Sequence, residues 1–256
     1  MNLIDINTWV GHWPFRQLRH NTPAALVRRM DKKGIDNAVV ANINAVLYRS
    51  PHPANEELAR NTRRVRDRLL PFATLNPKFP GWHEDLRRCA EDLELCGLRL
   101  YPQYHDYCLT DPEALDLIDA ATELDWAIQV PMRIEDRRTR HPLDLARDLG
   151  QADITAALSV RPKVKWMILN ALGLIPSQLP DASYLVDISR MASVLQRTVQ
   201  ELIDSAGADK PAFGTGMAFK VPDPALLKID VLDRPKTVKE RIGWKNAARM
   251  LGLPLL

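Results

Sequence analysis

Eight short apolar runs rich in β-branched residues, separated by segments of helical character, are the strongest constraint in this 256-residue sequence. The runs are Leu3–Val10, Asn37–Ile43, Leu70–Leu75, Gly97–Tyr101, Ala127–Met132, Val164–Leu169, Tyr184–Ile188 and Ala212–Gly214. Most are continuously apolar rather than alternating, as expected of parallel strands covered on both faces. Strand followed by helix, repeated in this way, predicts an α/β fold closed as a (β/α)8 TIM barrel. One domain spanning residues 1–256 fits the usual size of that fold.

The helical segments carry start and stop signals. Thr22-Pro23 reads as an N-cap with Pro at the first helical position, and Gly34 closes that helix. Leu26, Val27 and Met30 give it one apolar stripe. Pro53 opens the next helix, and Thr110 with Glu113 has capping-box spacing. Helices over Val194–Ala206 and Thr237–Leu251 complete the set. Two stretches depart from the ideal. Only "ALGLIPSQLPDAS" separates the sixth and seventh strands, so that crossover is short. The fifth strand is followed by a long charged loop, "RIEDRRTRHPLDLARDLG".

Composition narrows the function. The net charge of +3 is too small to argue for nucleic acid, and no basic tract is interleaved with aromatics. The three cysteines, Cys89, Cys96 and Cys108, form no C-x-x-C pair, which points to a reducing compartment. No apolar run approaches the roughly 20 residues needed to cross a bilayer, and no signal peptide is visible. The expected setting is cytoplasmic, with neither nucleic acid nor membrane as partner and a homo-oligomer left open.

In such barrels the chemistry lies at the C-terminal strand ends and the loops beyond them. "LIDINTWVGHWPFR" places Asp5 and Asn7 two apart, hence on one side of the first strand, and then supplies Trp13 and Arg16. The fourth strand and its loop offer Arg99, Tyr101 and His105. The fifth offers Arg133, Asp136 and His141, and the sixth ends at Asn170. Arg99 lies inside the apolar run "GLRLYP", where an unpaired charge is costly. It is therefore expected to meet an acid or a ligand anion. "FGTGMAFK" has only Gly214-x-Gly216, a weak phosphate-loop signal against a plain tight turn.

The whole chain resembles the amidohydrolase-related family of metal-dependent TIM-barrel hydrolases, which also includes decarboxylases. The resemblance rests on "LIDINTWVG", "LLPFATLNPKFPGWHEDLRRC", the segment from "CGLRLYP" to "AIQVPM", "RPKVKWMILNALG", "PAFGTGMAF" and the closing "WKNAARMLGLP". It implies a site for divalent metal built from first-strand histidines, histidines after strands five and six, and an aspartate after strand eight. The matching positions here read Asp5 and Asn7, then Asn170, and finally Gly216, with no histidine after strand five until His141. Zinc prefers imidazole or thiolate ligands. The expectation is accordingly no bound metal or other cofactor, with a weakly held divalent cation at Asp5 left open.

Two readings follow. The first is a hydrolase or decarboxylase acting on a small carboxylate-bearing substrate by metal-independent acid/base chemistry. In it, His105, His141, Asp136 and Asp5 are the catalytic candidates, and Asn7, Trp13, Arg16, Arg99, Tyr101, Arg133 and Asn170 bind the substrate. Arg99 is the expected centre of the anion pocket, because Arg suits bidentate carboxylate recognition. The second reading is a catalytically degenerate barrel that binds a small anion or a partner chain.

Overall fold

The computed structural model describes residues 1–193 and 195–254. Its strands are β1 (Ile4–Val10), β2 (Asn37–Asn42), β3 (Leu69–Pro71), β4 (Gly97–Arg99), β5 (Ala127–Pro131), β6 (Trp166–Leu169), β7 (Tyr184–Asp187) and β8 (Pro211–Ala212). They pair in parallel as β1-β2-β3 and as β4-β5-β6-β7-β8. Backbone bonds bridge both seams between the two sets. At one, the Ala73 N–H donates to the Gly97 carbonyl at 2.8 Å and the Arg99 N–H to the Ala73 carbonyl at 2.7 Å. At the other, the Ile6 N–H donates to the Phe213 carbonyl at 3.0 Å and the Trp9 N–H to the Met217 carbonyl at 2.6 Å. The strands thus run in ring order, as the alternation of runs and helices predicts.

The helices are α1 (Pro23–Asp31), α2 (His52–Thr62), α3 (Trp82–Glu91), α4 (Pro102–His105), α5 (Pro112–Glu123), α6 (Gln151–Val160), α7 (Thr198–Ala206) and α8 (Asp223–Asp230). A closing segment follows as α9 (Lys236–Glu240), a π-turn over Arg241–Lys245 and α10 (Asn246–Met250). Between β6 and β7 there is only a 3-10 turn, Pro176–Gln178, which is the short crossover expected. Three helix ends differ from expectation. α1 stops at Asp31, and Gly34 instead turns the chain with φ +64°. The N-cap position of α5 is Asp111 rather than Thr110, with no capping hydrogen bond from its side chain. Pro112 holds the residue before it in extended backbone, and that makes Asp111 the boundary. α7 begins at Thr198, and Val194, where the predicted helix starts, lies outside the described residues.

One buried cluster joins residues of seven strands or strand ends: Ile6, Val39, Phe72, Ala127, Met167, Leu185 and Ala212. Gly97 admits the Phe72 ring to that cluster, since a Cβ at Gly97 would lie 2.3 Å from the nearest ring atom. Gly97→Ala is expected to cost about 1–3 kcal/mol through overpacking, read as a lower denaturant midpoint. A loss below about 0.5 kcal/mol, the usual size of a surface effect, would mean that the ring yields freely. No helix among the described residues is long and apolar enough to cross a membrane.

Candidate active site

The first-strand pair lies in a buried polar network. Asp5 Oδ1 accepts from the Asn7 N–H at 2.9 Å and the Thr215 N–H at 3.0 Å, while Oδ2 accepts from the Thr215 hydroxyl. Burial pushes the Asp5 carboxyl from 3.8 up to about 7, opposed by the bond from Thr215. The Asn7 amide donates to Asn170 Oδ1 at 3.1 Å and to Asp187 Oδ2. Asp187 Oδ1 accepts from the Asn170 N–H at 3.0 Å and the Ser189 hydroxyl at 3.1 Å. Burial raises Asp187 as well. Asn170 holds φ +53°, a left-handed conformation that asparagine tolerates better than most residues. Gly214 makes room for the network, because a Cβ there would sit 2.8 Å from Asp187 Cβ.

Over the loops after the strands lies a cavity of about 500 Å³. Arg16, Asp136, Arg138, Arg190, Phe219 and Lys220 are among the residues that line it. Glu135 anchors one wall. Its carboxylate is 2.6 Å from Arg16 Nε and accepts from Trp13 Nε1 at 2.8 Å. Arg16 also donates to the Phe219 carbonyl at 3.0 Å. Arg190 is held more loosely, 3.4 Å from both the Asp136 carboxylate and the Ile134 carbonyl. Its Nε is buried without a partner among the described residues. Burial, followed by the nearby Arg133 charge, lowers its pKa. Hydrogen bonding from Arg138 holds Asp136 well below the usual carboxylate range. A second cavity of about 360 Å³ adjoins the first and shares Arg16, Phe219 and Lys220 with it.

The structure divides the predicted site residues into three groups. Arg16 and Asp136 line the larger cavity, and Trp13 stands behind Glu135. Asp5, Asn7 and Asn170 come together in the buried network. The remaining residues line neither of these two cavities. Arg99 is fully buried, but no acid among the described residues pairs with it: Nε donates to Gln129 Oε1 at 2.6 Å, Nη1 donates to the Thr8 carbonyl at 2.8 Å, and Nη2 is buried without a partner among them. The Trp9 ring lies 4.8 Å from the Arg99 guanidinium carbon, and Tyr101 accepts from Trp9 Nε1 at 2.9 Å. Arg99 therefore sits inside the barrel rather than at the centre of an open anion pocket. His105 is buried with Nε2 3.3 Å from the Ala45 carbonyl, and burial lowers its pKa to about 4. His141 is exposed, stacks on Phe15 at 5.2 Å and accepts the Leu143 N–H on Nδ1. Arg133 is drawn to Asp148 at 3.3 Å.

Asp187, Ser189, Thr215, Arg190 and Lys220 are absent from the sequence-based candidates. Asp187 carries the same signal as Arg99, a charge within an apolar run, here "YLVDIS". The others follow strands seven and eight and carry no spacing that sets them apart.

A family model described as Amidohydrolase matches residues 6–150. Among solved structures, the 5-carboxyvanillate decarboxylase of Sphingomonas paucimobilis superimposes with a TM-score of 0.75 at 16% identity, over 99% of both chains. The 2,6-dihydroxybenzoate decarboxylase from Rhizobium gives 0.75 at 16% identity, over 98% of both chains. The 5-carboxyvanillate decarboxylase of Novosphingobium aromaticivorans gives 0.74 at 14% identity, over 98% of this chain and 97% of that one. The last holds manganese and 3-methoxy-4-hydroxy-5-nitrobenzoic acid.

That manganese corrects the expectation of no cofactor: a protein of this fold carries a divalent cation. The donor set of this chain was tested against such an ion. Among the described residues, no group of three or more His, Cys, Asp and Glu side chains is placed to hold a metal. In the buried network, Asp5 and Asp187 each accept three hydrogen bonds, and the acceptor left without a partner is Asn7 Oδ1. Manganese favours carboxylate and carbonyl oxygens, but these two carboxylates are already engaged. The residues present do not fit the ion.

Proposed function

This chain belongs to the amidohydrolase family, and from that premise we propose that it is an enzyme acting on a small carboxylate, by hydrolysis or decarboxylation. The observation that carries the reading is Arg190 on the wall of the larger cavity, held by two contacts of 3.4 Å with its Nε unpartnered. A guanidinium satisfied this weakly exchanges its long contacts for a bidentate bond to an incoming carboxylate at little cost. Arg16 and Lys220 add positive charge to the same cavity, and Phe219 offers an apolar face to the body of the ligand. Arg138 keeps Asp136 ionised, so at neutral pH it orients cations and does not donate a proton. The carboxylated aromatic acids named for the similar decarboxylases agree with such a ligand in size and charge.

The runner-up is an anion-binding barrel without turnover. It is favoured by the placement of His105 and His141 away from both cavities. The purified protein, with and without added manganese, is tested on a panel of aromatic carboxylates and lactones for carbon dioxide release and ring opening. Turnover of any member separates the enzyme from the runner-up. Binding tests the shared premise. Arg190→Met is expected to raise the Kd for benzoate about 10- to 100-fold, the worth of one charged hydrogen-bond pair at about 1.5–3 kcal/mol. An unchanged Kd would overturn the assignment of Arg190.

A further inference from the structure

Lys220 is the cationic side chain of the cavity that has least to hold it. Its Nζ lies 3.4 Å from the Ser189 carbonyl, and no carboxylate oxygen among the described residues comes within 4.0 Å. Lys228 stands in contrast, donating to the Ile188 carbonyl at 2.8 Å and the Ser189 carbonyl at 2.9 Å. The Lys220 stem lies against Gly216, where a Cβ would come within 3.0 Å of Lys220 Cδ, so the glycine gives the side chain its path along the wall. The residue borders both cavities, which places its amine where a ligand in either can reach it.

We propose that Lys220 is a catalytic nucleophile that condenses with the carbonyl group of a small oxo acid. The assignment rests on the carboxylate reading above, with Arg190 holding the acid and the Lys220 amine meeting the carbonyl carbon. An amine attacks only when unprotonated, and two features of the site favour that form. Burial comes first, and the charges of Arg190 and Lys228 follow, against the opposing pull of Asp187 and Asp136. Together they bring the amine from 10.5 down to about 7. A surface lysine with an ordinary pKa near ~10.4 is almost wholly protonated at neutral pH.

With a 3-oxo acid the chemistry closes on itself. The Nζ lone pair forms a bond to the carbonyl carbon, a proton moves from nitrogen to oxygen, and the resulting hydroxyl takes a second proton from solvent and leaves as water to give an iminium. The bond to the carboxylate then breaks, its electron pair flows into the iminium as an enamine, and carbon dioxide departs. The enamine carbon takes a proton from solvent. Water adds back and the carbon–nitrogen bond breaks, freeing a ketone and the amine and returning to solvent the proton taken up when the iminium formed. The water released in the first half is consumed in the second, and the net change is one proton taken up and one carbon dioxide lost. No oxidant or reductant is required.

The test is reductive trapping. The full chain is incubated with acetoacetate or pyruvate and cyanoborohydride, and the adduct is located by intact mass and peptide mapping. One adduct per chain on Lys220 is expected, forming faster as pH rises through about 7. Lys220→Arg keeps the positive charge and should lose the adduct entirely. Its thermal unfolding should follow the parent's, showing that the amine is lost and not the fold. Labelling scattered over other lysines, or none on Lys220 while benzoate still binds, overturns the nucleophile and leaves the carboxylate site standing. Absence of both adduct and carboxylate binding overturns the two together.

Discussion

In the Asp5→Asn variant, the fall in stability between about pH 4 and pH 7 becomes markedly shallower than in the parent protein. Asp5 is fully buried, and its folded pKa stands at about 7 against an ordinary 3.8. Between those values the native protein holds a proton that the unfolded chain has released. Stability therefore decreases as pH rises, because the native state binds more protons. The contribution is fully present below about pH 4 and is lost as pH passes through about 7. At about 1.4 kcal/mol per pH unit, the gap corresponds to about 4 kcal/mol. Asparagine keeps the Oδ1 acceptor for the Asn7 and Thr215 N–H groups, and its amide can donate to Thr215 Oγ1 with the hydroxyl turned away. The variant thus removes the titration while sparing the network, and the slope that stays behind belongs to Asp187, which shifts in the same direction. Urea midpoints of parent and variant at matched pH values measure the difference. Parallel curves would show that Asp5 does not carry the proton.

Glu135→Ala is expected to destabilise the protein by about 2–3 kcal/mol and to disable the cavity with it. Truncation leaves the fully buried Trp13 without an acceptor for its Nε1–H, a loss of about 1–3 kcal/mol for a buried donor. It also frees Arg16. That part of the cost is small, because the Arg16 side chain is 44% exposed and water takes over its solvation. A chain of this size loses about 2–4 °C of melting temperature per kcal/mol, so the midpoint should fall by roughly 4–12 °C. Glu135→Gln retains an acceptor for Trp13 and should cost about 1 kcal/mol, the net worth of one hydrogen bond. Equal losses in the two variants would mean that the Trp13 bond contributes nothing.

The sequence by itself determined the barrel. Continuous apolar runs, helix caps and crossover lengths are local properties, and each constrains its own element before any tertiary contact forms. The short link between β6 and β7 is legible for the same reason: its length lies near the lower bound for a crossover that includes a helix, and Pro176 and Pro180 interrupt it. Arg16 and Asp136 were legible as cavity residues because their loops follow barrel strands, where such folds open. Asp5 and Asn7 could be placed on one side of a strand, but not given partners.

Only the tertiary structure decided what those polar groups meet. The partner of Asp5 is Thr215, 210 residues away across the seam between β8 and β1, and no spacing in the chain encodes that meeting. Arg99 has the signature of a binding residue yet is held by Gln129, a backbone carbonyl and an indole ring, all inside the barrel, with Nη2 left unpartnered among the described residues. His105 occupies an eligible loop, but α4 (Pro102–His105) carries its ring into the interior against Ala45. Lys220 shows the converse: a lysine in a plain loop becomes unusual only because burial and two neighbouring cations lower its pKa while its amine meets one carbonyl at 3.4 Å. Periodicity reports which way a residue points along its own element. Whether a charge is quenched, buried or left open to a ligand depends on groups brought together from distant strands, and that is settled when the ring closes.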